Sequence, residues 1–156
     1  MEKRVLIAFD DSDNAMRAVK FVANHFTSDS KITLFNVIQD FSVLCGMNSP
    51  ELIPYFLSQE KTFCSLEEAK KELVNTALIN AKKKLIGAGF DEKNITIKTE
   101  GKKNGIAGDI VKESEDGYDI IAIGRRGLSG IKDFFLGSVS QKVLNRVKNV
   151  SVLIVN

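Results

Sequence analysis

Short, mainly apolar runs, of which VLIAF at residues 5–9 is uninterrupted, alternate with segments of helical spacing, and this alternation most limits what the chain can fold into. Such runs are typical of strands that are buried on both faces of a sheet. They predict five strands, at residues 5–9, 32–38, 95–98, 119–123 and 150–155. In the helical segments between them, apolar residues recur on one face, and Ser12 or Asp13 can cap the first helix. The order predicts an α/β fold of the Rossmann-like class: a doubly wound five-stranded parallel sheet with helices on both faces.

The length and the charge balance narrow the class of protein. With 156 residues, the chain is expected to form a single domain, residues 1–156, and to bury a core without metals or disulfides. Its 22 basic and 20 acidic residues are too balanced to indicate nucleic acid or a membrane surface as a partner. The first apolar run is too short for a signal peptide, and no segment approaches the ~20 apolar residues that cross a bilayer. Cys45 and Cys64 lack the spacing of a zinc site, so we expect reduced thiols in a cytoplasmic protein.

A long insertion, at about residues 39–64, follows the second predicted strand. It is too apolar for a disordered linker, and loops of this length are uncommon unless they are functional. Ser65 and Glu68 have capping-box spacing and predict that the next helix begins there. Pro54 would limit or kink any short helix that starts at Ser49-Pro50. The sequence leaves three alternatives open for the insertion: a flap over a ligand, a contact with a second subunit, or a satellite patch of core.

Glycines stand at unusual spacing after the fourth predicted strand. Gly124 is expected to make a tight turn, and Gly127 would let a ligand approach the backbone closely. Gly137 and Ser138 stand where the last helix begins, and the unpaired N–H groups of a helix start favour phosphate. Because the carboxyl ends of parallel strands share one edge, Asp10 is expected near the same crevice.

Each of these glycines also has a simpler structural explanation. Gly124 could be a strand-end turn, and Gly137 could be a helix start that binds nothing. The segment is not a Walker A loop, and the chain contains no GxGxxG sequence. The residues alone therefore leave phosphate binding and a purely structural role equally open.

Taken together, Gly124, Gly127, Gly137 and Ser138 fit the pattern G-x2-G-x9-G-[ST], which resembles the nucleotide-binding motif of the universal stress protein family. The resemblance covers nearly the whole chain, through VLIAFDDSDNA, ITLFNVI, YDIIAIGRRGLSGIKDFFLGSVSQKVL and NVSVLIV. It implies that the protein binds an adenine nucleotide, with ATP as the leading candidate. The residues themselves suggest that Asp10 and Asp11 could hold Mg²⁺ beside a triphosphate. Helix capping is the simpler explanation for Asp11 and Asp13, so a ligand role is expected only for Asp10.

The resemblance implies roles for particular residues when it is carried over by position. Asp10 would lie by the ribose or the base, Ala8 would line the pocket, and Val37 would contact the adenine. The residues implied to hold the phosphates or the ribose are Gly124, Arg125, Arg126, Gly127, Gly137, Ser138, Val139 and Ser140. Ala8 stands where many ATP-binding members have proline, and Asn36 stands where many have histidine. We expect both departures to tune the base pocket.

The leading interpretation is a cytoplasmic stress-response regulator that binds ATP. The resemblance also implies a homodimer through the terminal strand, residues 150–155. An enzyme, at most a slow ATPase or a phosphoryl or nucleotidyl transferase, is the second interpretation. Asp10 is the one credible acid for it, and the single histidine, His25, cannot form a Ser-His-Asp triad. The third is a protein-interaction module that binds no ligand. The sequence identifies neither a protein partner nor a pathway.

Overall fold

The computed structural model of the protein describes residues 2–38, 54–125 and 136–156. Its strands are β1 (Arg4–Ala8), β2 (Lys31–Ile38), β3 (Ile95–Gly101), β4 (Ile120–Gly124) and β5 (Ser151–Val155). Its helices are α1 (Asp13–His25), α2 (Pro54–Gly87), α3 (Ile106–Ser114) and α4 (Ser138–Arg146). A short 3-10 helix, Glu92–Asn94, precedes β3. None of the described helices is both long and apolar enough to cross a membrane.

The strands form one five-stranded sheet in the order β3-β2-β1-β4-β5. Every neighbouring pair is parallel. β1 lies at the centre, and the chain winds outward from it in both directions, which confirms the predicted doubly wound α/β fold. The direction of winding reverses between β1 and β4, and in such sheets ligands bind outside the carboxyl ends of the strands at this point.

Helices cover both faces of the sheet and divide the core into two layers. On one face, Ile7 and Leu34 pack against Val19 of α1 and Leu78 of α2. On the other face, the core residues from the sheet, α3 and α4 include Leu6, Phe35, Ile121, Ile110 and Val143. Because both faces of the central strand β1 are buried, its successive residues Val5 to Ala8 are all apolar, and this explains the apolar run at the start of the sequence.

The long helix α2 begins earlier than the sequence predicts. Ser65 lies inside the helix, so its capping-box spacing to Glu68 does not mark a helix start. The first helical residue is Pro54, a position where proline's missing N–H costs nothing. The end of the predicted insertion is therefore helix. Residues 39–53 lie outside the described residues, so the alternatives of a flap, a subunit contact or a satellite core stay predictions.

The expectation of two reduced thiols is wrong for Cys64. The structure records this residue of α2 as disulfide-bonded, and no cysteine in the described ranges is free. Cys45, the other cysteine of the chain, lies outside the described residues. The error arises because sequence spacing reports metal and redox motifs, whereas a disulfide depends on proximity in the folded chain.

Gly124 ends β4 where the first turn of α1 packs against the sheet. A Cβ atom at this position would lie 2.7 Å from the backbone carbonyl carbon of Asn14 and 2.8 Å from its carbonyl oxygen. Gly124 is not among the described glycines with a positive φ. The predicted tight turn is therefore not what requires glycine here. Glycine is needed because α1 and β4 approach each other too closely for any side chain.

Asp109 fixes the loop that leads into α3. The residue is 6% exposed, and its carboxylate accepts hydrogen bonds from the backbone N–H groups of Lys103, at 2.8 Å, and Asn104, at 3.0 Å. Burial opposes the ionisation of this carboxyl, but these N–H groups and the charge of Lys103 outweigh burial and lower the pKa of Asp109. The bonds set the position of Ile106, the first residue of α3.

We expect Gly124→Ala to destabilise the protein by about 1–3 kcal/mol, because the added methyl group would force α1 away from β4. Gly101→Ala is the matched control, since a Cβ there would meet no atom within 4 Å. It should change stability by less than about 0.5 kcal/mol. Urea unfolding of both variants measures the difference. Equal midpoints would show that α1 and β4 can move apart without a loss in the free energy of unfolding.

We expect Asp109→Asn to reduce the acid sensitivity of the fold. Because the pKa of Asp109 is lower in the folded state, its carboxylate stabilises the protein above the unfolded pKa of about 3.9, and this stabilisation is lost as the pH falls through the folded pKa. The variant should lose about 1–2 kcal/mol at pH 7 and show a flatter decline below pH ~4. Urea unfolding at a series of pH values measures this, with the exposed Asp116→Asn as control. An unchanged acid limb would contradict the assignment.

Candidate functional site

A cavity of about 280 Å³ opens at the carboxyl ends of β1, β2 and β4, beside the start of α4. We call it the first cavity. It lies at the point where the sheet reverses its winding, as expected for a doubly wound fold. Its walls are formed by Ala8, Phe9, Asp10, Ser12, Ala15, Phe35, Val37, Ile106, Ile110, Ile123, Gly124, Gly137, Ser138, Val139 and Ser140.

Most residues that the sequence marked as site residues line the first cavity. They are Ala8, Asp10, Val37, Gly124, Gly137, Ser138, Val139 and Ser140. Arg125 is not among the lining residues. Its backbone N–H donates to the Val155 carbonyl at 2.8 Å, and its guanidinium donates to Asn156 Oδ1 at 3.2 Å. Arg126 and Gly127 lie outside the described residues.

The start of α4 presents polar groups to the first cavity. Gly137 is the N-cap and supplies no capping side chain. Its N–H donates to the Arg125 carbonyl at 2.8 Å, so it is already used within the fold. The N–H groups of Ser138 and Val139 follow it, and N–H groups in the first turn have no acceptor inside their own helix. Together with the exposed Ser138 hydroxyl, they give this end of the cavity a positive potential.

Ser140 ties α4 to the sheet. This residue is 3% exposed, and its hydroxyl donates to the Gly124 carbonyl at 2.9 Å, with the Arg125 carbonyl at 3.4 Å. The hydroxyl proton is therefore engaged by the protein. Ser140 therefore holds the start of α4 in place, and it also forms part of the cavity wall.

The rest of the first cavity is apolar. Phe35 and Ile123 supply the floor from the sheet, while Ile110 and Val139 supply walls from α3 and α4. Ile106 stands at the rim and is 46% exposed, which is high for a large apolar side chain. Apolar walls with a few polar groups at one end are typical of sites for small organic ligands.

Sequence reasoning did not select Ile106, Ile110, Phe35 or Ile123. In the sequence they are ordinary members of apolar helix and strand patterns. A run that is buried on both faces does not show which side chains point toward a particular cavity. For Ile106 the sequence does hold an indication, the segment NGIAGD at residues 104–109. Its composition predicts a turn, and a turn at the carboxyl edge of the sheet borders the crevice.

Asp10 belongs to the turn that enters α1. Its Oδ1 accepts a hydrogen bond from the Ser12 N–H at 2.9 Å, and Ser12 caps the helix by accepting from the Ala15 N–H at 3.1 Å. This arrangement leaves Oδ2 of Asp10 without a partner among the described residues. Within the same residues, no group of three or more acidic, histidine or cysteine side chains is arranged to hold a metal ion.

Asn36 does not line the first cavity, where we expected it to tune the base pocket. Side chains alternate along β2, so Phe35 and Val37 face α3 while Leu34 and Asn36 face α2. Asn36 instead lines a second cavity on the α2 side of the same edge. The place of Asn36 in the family pattern does not show to which face of the sheet its side chain points.

A doubly wound parallel sheet with an apolar cavity and a helix start at its switch point is the arrangement at which α/β domains of this class bind ligands. The family model described as "Universal stress protein family" matches residues 1–156. The chain belongs to the universal stress protein family.

Two curated relatives span nearly the whole chain. Universal stress protein MJ0577 of Methanocaldococcus jannaschii is 32% identical over 166 residues, covering 99% of this chain and 95% of that protein. Universal stress protein YxiE of Bacillus subtilis is 29% identical over 160 residues, covering 99% of each. The solved structure of MJ0577 superposes with a TM-score of 0.72 at 28% identity, covering 99% of this chain and 96% of the other.

Two further solved structures share the fold and carry a nucleotide. One is a universal stress protein in complex with cAMP, with a TM-score of 0.64 at 20% identity over 99% of this chain and 97% of that one. The other is the universal stress protein from Archaeoglobus fulgidus in complex with dAMP, with a TM-score of 0.62 at 14% identity over 100% of this chain and 98% of that one. At these identities the likeness establishes the fold alone.

Proposed function

We propose that this protein binds an adenine nucleotide, with ATP as the leading candidate, in the first cavity and acts as a cytoplasmic regulator of a stress response. The observation that carries the proposal is the juxtaposition of an apolar cavity and the start of α4. An aromatic base fits the apolar part, and phosphate fits the positive end of a helix. The two halves of a nucleotide thus match the two ends of the cavity.

The proposal gives each lining group a part in binding. Val37 and Ile106 would hold the base, with Ala8 beneath it. The unpartnered Oδ2 of Asp10 would accept from the ribose hydroxyls. The Ser138 hydroxyl and the N–H groups of Ser138 and Val139 would hold phosphate oxygens. Arg126 and Gly127, which the glycine motif implicates, would complete the phosphate site, and Mg²⁺ would enter with the triphosphate beside Asp10.

The relatives support the class of ligand. Two proteins of the same fold are described in complex with cAMP and with dAMP, which share the adenine base and a phosphate. Their sugars and phosphate linkages differ. An apolar cavity that ends at a helix start would recognise the adenine base and the phosphate that both ligands share. This likeness favours adenine nucleotides as the class of ligand.

Slow ATP hydrolysis is the second candidate function. Asp10 is the carboxylate that lines the first cavity among the described residues, and one of its oxygens is unpartnered. A single carboxylate could orient water, but rapid phosphoryl transfer also needs positioned metal and cationic groups. Release of phosphate from ATP in the presence of Mg²⁺ separates a hydrolase from a binding protein, and Asp10→Asn should abolish a genuine activity.

We also propose a homodimer through residues 150–155. β5 is an edge strand, and its side chains Val152, Leu153 and Ile154 are only half-buried. Pairing with the same strand of a second copy would satisfy the free edge and cover these side chains. We expect Val152→Glu to yield a monomer in analytical ultracentrifugation. Ile97→Glu, at the opposite edge strand β3, is the matched control and should leave the mass unchanged; equal behaviour of the two variants would reject β5 as the interface.

We expect Ser138→Glu to lower ATP affinity by about tenfold, equivalent to about 1.4 kcal/mol, while the fold is retained. A carboxylate in the first turn of a helix stabilises that helix but repels phosphate. Isothermal titration of nucleotide-free protein with ATP measures the loss. Mass spectrometry of molecules released from the purified protein by denaturation identifies the nucleotide.

Two controls make the Ser138→Glu result specific. Ser28→Glu adds the same charge at another exposed serine, far in sequence from α4, and should leave ATP affinity unchanged. Adenosine, which lacks phosphate, should bind the Ser138→Glu variant and the parent protein equally. If ATP binds the variant as tightly as the parent protein, phosphate does not lie at the start of α4. If neither ATP nor any other adenine nucleotide binds the parent protein at millimolar concentration, the proposed function is wrong.

A further inference from the structure

A second cavity, of about 330 Å³, lies between the carboxyl ends of β2 and β3 and the helix α2. It shares Asp10, Val37 and Ile106 with the first cavity but occupies the other side of the sheet edge. The polar side chains that distinguish it come from β2, from α2 and from the residue after β3. They include Asn36, Glu67, Lys70, Lys71 and Lys102.

The side of α2 that faces the sheet changes from apolar to charged residues at this cavity. Leu85, Leu78 and Val74 lie on one side of the helix and are buried in the core. One and two turns toward the helix start, the same side carries Lys71 and Glu67, which are half-buried. A helix that only covered the sheet would continue its apolar side to the end of the contact.

The strand that faces α2, β2, changes from apolar to polar residues at the same level. Ile32 and Leu34 of β2 point toward α2 and belong to the core, and the next side chain on that face is Asn36. Polar residues therefore replace apolar ones on both walls at once. Two independent elements with the same switch indicate a polar space between them.

Asn36 is the residue that points most directly to a ligand. It is 3% exposed, and its side-chain amide makes no hydrogen bond to any described residue. A buried amide without a partner destabilises a protein, and such groups are rare. An amide that offers both a donor and acceptor sites would gain its partners from a bound molecule.

The charges around Asn36 are of both signs. Lys70, Lys71 and Lys102 face the cavity together with Asp10, Asp11 and Glu67. In the part of the chain that the structure describes, none of these three carboxylates forms an ion pair, and no acidic cluster is arranged for a metal ion. Charges of both signs around one cavity fit a ligand that itself carries both signs better than they fit a simple anion or cation.

We propose that the second cavity binds a small zwitterion of the α-amino-acid class. Its carboxylate would lie toward Lys70, and its ammonium group would lie toward Glu67 and Asp11. Asn36 would hydrogen-bond to the polar groups of the ligand from the floor of the cavity. The two cavities share Asp10, Val37 and Ile106, but Asn36 lines the second cavity alone, so a substitution of Asn36 separates this proposal from the nucleotide proposal.

The test begins with nucleotide-free protein and each standard L-amino acid at about 10 mM, monitored by the melting temperature and by isothermal titration. The strongest binder is then compared with its deaminated acid and its decarboxylated amine. We expect saturable binding of at least one amino acid, and affinities for its acid and amine that are at least about tenfold weaker. Equal affinity for the acid would show a plain anion site, and no binding by any amino acid would reject the proposal.

Asn36→Leu tests the residue itself. We expect amino-acid affinity to fall by at least about tenfold, while the melting temperature of the ligand-free protein rises because an unpartnered buried amide is removed. Asn24→Leu, at an exposed position on α1, is the matched control and should retain the affinity. ATP titration of Asn36→Leu should match the parent protein, which separates this result from the nucleotide proposal. Unchanged amino-acid affinity in Asn36→Leu would overturn the assignment.

Discussion

The close contact between Gly124 and the first turn of α1 is the constraint on which the candidate site depends. The missing side chain of Gly124 admits the backbone of Asn14, and its carbonyl accepts the hydroxyl proton of Ser140 from α4. One residue at the end of β4 thus holds the starts of two helices. Those two starts flank the first cavity, so its shape follows from packing between backbone segments.

The fold could be predicted from the sequence because the central strands β1 and β4 are buried on both faces. This burial produces uninterrupted apolar runs, and their alternation with helices leaves few possible topologies. The switch point and the glycine spacing then brought together most of the residues that line the first cavity. Asp10, Val37 and Gly137 were found in this way, since all three stand at the end of a strand or the start of a helix.

The remaining features depend on three-dimensional proximity, which local sequence does not report. Pro54 as the first residue of α2 was missed because an internal Ser65 and Glu68 pair imitates a helix start. The sequence did not predict that the Asn36 side chain faces α2. Alternation along a strand places neighbouring side chains on opposite faces of the sheet, but it does not show which helices cover each face. Arg125 is turned toward Asn156 by the pairing of β4 with β5, a contact between distant parts of the chain.

The strand order also bears on when the first cavity comes into existence. β2 pairs with both β1 and β3, so these three strands, with α1 and α2, can assemble from the first 101 residues. The free side of β1 must wait for β4, whose pairing joins Val5 to Ile120. Contacts of such long sequence separation form late. During synthesis the partly folded chain would already have the side of the sheet covered by α1 and α2, while the wall made by β4 and α4 would still be absent. Occupancy of the first cavity would therefore report that the second half of the sheet has closed.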